Sequence, residues 1–116
     1  MPANASPSQT FAHLLSAQVR NEFTASQQYI AIAIWFDDRD LPRLAWHFFR
    51  QSVEERNHAM MIVRYCLDRG LPVQIPGVDE VRNAFENPVD PIELALNQEK
   101  TVTGQIEALF RAARAE

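Results

Sequence analysis

Hydrophobic residues in this chain recur every three or four positions through three long stretches, and no convincing alternating strand pattern appears. That spacing keeps one apolar stripe along one face of a helix. In the first stretch, from about Thr10 to Phe36, the stripe reads Leu15, Val19, Glu22, Ser26, Tyr29, Ala33, Phe36. In the second, from about Leu41 to Arg69, it reads Leu44, Phe48, Gln51, Glu55, His58, Ile62, Tyr65. The third opens at "DPIE" and reads Ile92, Ala95, Glu99, Val102, Ile106, Leu109, Ala113. Local punctuation supports the same boundaries. Asp40 predicts an N-cap with Pro42 in the first turn, and Gly70 followed by Pro72 predicts the stop of that helix. Asp90, Pro91 and Glu93 predict a cap, a first helical residue and a capping box for the third. The pattern predicts an all-α fold and one domain over residues 1–116.

The two connections differ in kind. "DDRD" is short and forces the first two helices into an antiparallel hairpin. Residues 70–89, "GLPVQIPGVDEVRNAFENPV", form a long link rich in proline and glycine. Extended, such a link reaches about 60 Å, whereas a helix of this size is about 42 Å long. The link is therefore expected to run back along a whole helix, making an up-down-down bundle in which the third helix is parallel to the second.

Composition narrows the class of function. The net charge is −4 with no block of Lys or Arg, which argues against a nucleic-acid partner and favours cations. A single cysteine, Cys66, excludes an internal disulfide and fits a reducing compartment. "MPANASPSQT" has neither a basic nor an apolar segment of a secretion signal, and "YIAIAIWF" is too short to span a membrane. The expectation is a soluble cytoplasmic protein with no membrane partner.

Against that background the acids in the stripes stand out. Each apolar stripe is broken by one carboxylate, Glu22, Glu55 or Glu99, and the second adds His58 one turn after Glu55. Counted from the turn near Arg39, Glu22, Glu55 and His58 all lie about 24–29 Å away, level within one helical turn. Burying such groups unpaired is costly, and a cation removes that cost. Glu on one helix with Glu-x-x-His on another is the ligand pattern of carboxylate-bridged di-iron bundles, and mixed oxygen and nitrogen ligation suits iron or manganese.

Taken singly, each residue has a plainer reading. Glu22 and Glu99 read as surface or salt-bridged acids, with Arg20, Arg56 and Lys100 available as partners. His13 and His47 fall off the stripes and read as surface or packing residues. Met60 and Met61 read as packing. Tyr29 reads as core, although it lies one heptad from Glu22 and is able to face the same site. The coincidence of three interrupted stripes favours the metal site.

"NEFTASQQY", "VEERNHAM" and "NQEKTVTGQ" closely resemble the three metal-site segments of non-haem bacterial ferritins, members of the ferritin-like di-iron family. The similarity covers nearly the whole chain after the first ten residues, including "IPGVDEVRNAF" in the link. The resemblance implies a ferritin-like up-down-down-up bundle and a ferroxidase that oxidises Fe(II) with O₂ or H₂O₂. It also implies ferric mineral deposited inside a homo-oligomeric cage, a 24-mer at full length. Glu22, Glu55 and His58 then hold the first iron, Glu55 bridges to the second, and Glu99 binds the second. Tyr29 corresponds to a tyrosine beside the centre, and Glu54 to an acid that helps pass or hold a further iron. Arg56 occupies the position where haem-containing relatives carry a methionine, so no haem is expected. Asn57 and Met60 stand where animal ferritins often carry acids, so mineral nucleation is not expected to match theirs.

The largest departure from the family is length. "RAARAE" falls at or near the end of the third helix, whereas ferritin subunits carry a fourth long helix that closes the bundle. The expectation is a ferritin domain truncated before that helix; the alternative is two chains completing each other. Two rival functions remain open on the sequence. One is a non-catalytic helical interaction module, which would bind no iron. The other is a related di-iron enzyme such as a peroxidase, which oxidant preference would separate.

Overall fold

The computed structural model describes residues 7–115. It consists of three helices, α1 (Pro7–Asp37), α2 (Pro42–Asp68) and α3 (Val89–Arg114), and among the described residues there are no strands. The reading of "MPANAS" and of the final Glu116 lies outside the described residues.

α1 and α2 form the predicted hairpin. Its turn is closed by the Leu41 amide donating to the Phe36 carbonyl at 3.1 Å. The predicted cap needs correction: Leu41, not Asp40, is the N-cap of α2, and it makes no side-chain cap bond. Asp40 instead takes a positive φ of 58°, a left-handed conformation that aspartate tolerates better than most residues. Pro42 opens the helix, where its missing N–H leaves no bond unmade.

The other end of α2 stops as predicted. Gly70 has φ +67°, the Leu71 amide donates to the Cys66 carbonyl at 2.9 Å, and Gly70 donates to Leu67 at 3.3 Å. Those two bonds form a Schellman motif, in which glycine carries the left-handed residue without a Cβ clash.

The link then runs along α1 toward the hairpin turn. Asp79 pairs with Arg20, and its amide donates to Thr24 Oγ1 at 3.1 Å. Further along, the buried Gln28 side chain brackets Arg82, donating to its carbonyl at 2.8 Å and accepting from its amide at 2.9 Å. Phe85 then packs edge-on against Trp35. The exposed Arg20–Asp79 pair contributes under about 1 kcal/mol, so the bracketed backbone and the buried Phe85 hold the link more firmly.

α3 consequently starts beside the turn and runs antiparallel to α1, as its contacts show: Gln98 reaches Ala25, Glu99 reaches Tyr29, and Gln105 reaches Gln18. This is the up-down-down order. Asp90 is not its cap. Val89 precedes it in the helix, and Asn87 Oδ1 accepts from the amides of Val89 and Asp90 at 3.0 and 3.1 Å. Asn87 thus satisfies the orphan donors that the sequence assigns to Asp90.

The core is an aromatic layer near the turn. Phe48 lies between Tyr29 and Phe36, with ring centroids 5.9 and 5.7 Å away, and Ile32, Trp35, Ala45 and Ala95 surround it. The stripe of α2 that is actually buried is Ala45, Phe48, Ser52, Glu55, Ala59, Val63 and Cys66. Leu44, Gln51, Ile62 and Tyr65, assigned to the stripe by sequence, sit at its half-buried edge, and His58 is exposed. The small residues allow α2 to lie close against α1. On α3 only Pro91 and Ala95 are buried, and Ile92, Glu99 and Ala113 of the predicted stripe are exposed. The reason is that α3 rests on α1 and stands apart from α2. Met61, Leu96 and Phe110 remain exposed, and so does Met60, which the sequence reading treats as packing.

Candidate metal centre

The space between α2 and α3 is an open groove of ≈ 610 Å³. Its floor is Glu22 of α1, and its walls carry Glu54, Glu55 and His58 from α2 and Glu99, Ile106 and Phe110 from α3. Helix geometry explains the convergence. Glu55 and His58 are three residues apart on one helix face, and the antiparallel hairpin brings Glu22 to the same height.

Within the groove, Glu22, Glu55 and His58 each offer a ligand atom, all within 4.8 Å of one another. His58 Nδ1 lies 3.6 Å from Glu22 Oε1 and 3.6 Å from Glu55 Oε2. Those separations are too long for hydrogen bonds. The Glu22 side chain is fully buried, and Glu22 Oε1 and Glu55 Oε2 are buried without any hydrogen-bond partner. Buried polar atoms are ordinarily paired, and an exception asks for an explanation. A cation supplies one. Ligands about 2.1 Å from a single ion stand roughly 3.0–3.4 Å apart at neighbouring vertices, so the two 3.6 Å separations from His58 need only a small contraction to suit a shared ion.

Electrostatics points the same way. The Glu55 carboxyl is held well above the ordinary carboxylate range by burial first, then by its interaction with Glu22 and the charges of Glu99 and Glu54. Such crowding of acids disfavours ionisation until a positive charge enters.

The remaining predicted residues lie around this cluster. Tyr29 is buried, and its hydroxyl donates to Glu99 Oε1 at 3.2 Å. Burial, and next the charge of Glu99, push the Tyr29 phenol further up, so it stays protonated. Glu99 is exposed and faces the groove outside the three-residue cluster. Glu54 is exposed on the groove wall. Arg20 pairs with Asp79 instead of Glu22. His13 and His47 are exposed, and the His47 ring meets the edge of Phe48. Gln18 escaped the sequence reading: it is buried, and its amide donates to Glu22 Oε2 at 2.7 Å. The signal was available, because Gln18 lies one helical turn before Glu22.

Two carboxylates and an imidazole from α1 and α2, facing α3 across one groove, make a helical bundle with a group of side chains able to hold a cation. The chain belongs to the family described as the ferritin-like domain, whose model matches residues 12–116. It is 57% identical over 110 residues to ferritin BfrB of Mycobacterium tuberculosis, covering 95% of this chain and 61% of that protein. Ferritin BfrB of Mycolicibacterium smegmatis is 59% identical over 106 residues, covering 91% and 59%. Among solved structures, apo-ferritin from Pseudo-nitzschia multiseries superimposes with a TM-score of 0.88 at 30% identity, covering 92% of this chain and 69% of that one. This chain therefore spans about 61% of the length of the M. tuberculosis relative. Among the described residues, no helix is long and apolar enough to cross a membrane.

Proposed function

We propose that this chain carries a ferroxidase site that oxidises Fe(II) with O₂ and serves iron storage in a homo-oligomeric protein cage. The observation that carries the reading is the pair of unpartnered buried oxygens, Glu22 Oε1 and Glu55 Oε2, equidistant from His58 Nδ1. Membership of the ferritin-like family and the ferritin names of its relatives support iron as the cation.

In this reading Glu22, Glu55 and His58 bind the first Fe(II). Glu55 bridges toward a second, which Glu99 holds, and Glu54 assists entry from the groove. Anionic oxygen ligands favour the ferric state, so each Fe(II) gives up one electron to the oxidant. The chain contributes placement, negative charge and a neutral imidazole. Tyr29 keeps its proton and holds Glu99 in position through the 3.2 Å hydrogen bond.

Proton linkage gives the reading a pH signature. Glu55's raised folded value means that the cation-free native state keeps a proton which the unfolded chain releases above its ordinary value of 4.5. Through this group, stability of the cation-free protein falls as pH rises from 4.5 through the raised value. A bound cation displaces the proton, so the added stabilisation grows with pH. Thermal unfolding in chelator should show this downward slope between pH 5 and 8, at roughly the pH values between those two limits, and Glu55→Gln should flatten it. Excess Co(II) should reverse the trend in the unsubstituted chain.

The direct test of function is oxygen uptake after anaerobic loading with Fe(II), measured together with native mass and iron per chain. Rapid uptake by a large homo-oligomer holding many irons per chain is expected. No uptake and no bound iron would sink the reading and leave a helical interaction module. Faster oxidation with H₂O₂ than with O₂ would redirect it to a peroxidase.

A further inference from the structure

Glu22 is held asymmetrically, and the residue that holds it lies outside the three cation-binding side chains. Gln18 is 2% exposed and spends both amide hydrogens on acceptors. Its Nε2 donates to Glu22 Oε2 at 2.7 Å and to Gln105 Oε1 of α3 at 3.2 Å. Its own Oε1 accepts from Asn21 Nδ2 at 3.2 Å. A carboxylate oxygen only accepts, so these partners allow one orientation of the Gln18 amide.

We propose that Gln18 is a positioning residue for the cation site: it ties down Glu22 Oε2 and so leaves Oε1 as the oxygen offered to the ion. This inference rests on the reading of Glu22, Glu55 and His58 as a cation site. The free oxygen is the one 3.6 Å from His58 Nδ1, and it has no other partner. The chemistry of the amide matters as much as its place. A lysine or arginine at this position would also hold the carboxylate, but its charge would offset the anionic attraction for a cation. The neutral amide fixes direction and leaves the full charge of Glu22 available. The second hydrogen bond, to Gln105, ties the same amide to α3 without touching Glu22.

The test is Co(II) binding, read by titration and by the visible absorption of bound Co(II), which reports coordination independently of iron oxidation. Gln18→Met keeps the length and removes both donors. It should weaken Co(II) affinity by about 10–100-fold, the usual effect of losing a residue that orients a metal ligand, and should alter the Co(II) spectrum. Gln105→Ala breaks the link to α3 while leaving the bond to Glu22, and should keep affinity within about 3-fold of the unsubstituted chain, below that range. If Gln18→Met does not fold, Gln18→Asn, which draws the amide back by one methylene, should show the same direction of change. Unaltered affinity and spectrum in a folded Gln18 variant would overturn the inference. So would an equal loss in Gln105→Ala, which would assign the effect to helix packing. Failure of the unsubstituted chain to bind Co(II) would instead overturn the cation-site reading itself.

Discussion

Replacing both Glu55 and His58 by alanine should abolish the fast phase of Fe(II) oxidation. The substitutions remove two of the three groups that converge on one point, leaving Glu22 as the only member of the cluster. Removing a residue that merely orients a ligand typically lowers metal affinity or activity 10–100-fold, so losing two ligands should exceed about 100-fold. The defect should not come from unfolding. Glu55 carries an unpartnered buried oxygen, and His58 is largely exposed, so neither side chain is a main support of the cation-free fold. Stopped-flow absorbance after mixing Fe(II) with oxygenated protein measures the rate, and circular dichroism measures the helix content. Retention of the unsubstituted rate by the folded double variant would show that the reaction occurs elsewhere.

The second large effect concerns stability. Phe36→Ala should cost about 3–5 kcal/mol, the usual result of deleting a buried aromatic ring. Phe36 is fully buried, stacks on Phe48 at 5.7 Å and meets Trp35 edge-on at 5.3 Å. Domains are commonly stable by only about 5–15 kcal/mol, so this one change takes a large share. It should also reach the site, because Phe48 stacks in turn on Tyr29, whose hydroxyl holds Glu99. Urea denaturation should show a lower midpoint with an unchanged slope. A midpoint equal to that of the unsubstituted chain would mean that this aromatic layer is not the core.

Much of the fold is legible because helical periodicity is a property of the chain itself. The three helices, the Gly70 stop and the returning link all follow from spacing and from residues with restricted backbones. The buried faces are less legible. On α2 the sequence favours bulky Leu44, Ile62 and Tyr65, but close packing on α1 selects Ala45, Ser52 and Ala59, whose small side chains give a weak hydrophobic signal. Which side of a helix is covered depends on its neighbours. With α3 standing away from α2, Ile92 and Glu99 lie exposed although both fall on the predicted stripe. Asp90 and Asn87 are both good cap residues by type, and only the backbone of the helix start selects Asn87.

For the site, the juxtaposition of Glu22 with Glu55 and His58 needed only the hairpin and an equal count from its turn. The Tyr29–Glu99 hydrogen bond depends on the packing of α3, which spacing does not determine. Gln18 and Gln28 lie beside the apolar stripe of α1 and not on it, yet both are buried because each has hydrogen-bond partners.

The central claim, that Glu22, Glu55 and His58 jointly bind the cation, is tested most directly by crystals soaked anaerobically with Fe(II) and measured at the iron absorption edge. The account predicts an anomalous peak bonded to His58 Nδ1, Glu22 Oε1 and Glu55 Oε2, at about the 2.0–2.2 Å usual for such ligands. Iron peaks elsewhere, with none among these three side chains, would contradict it.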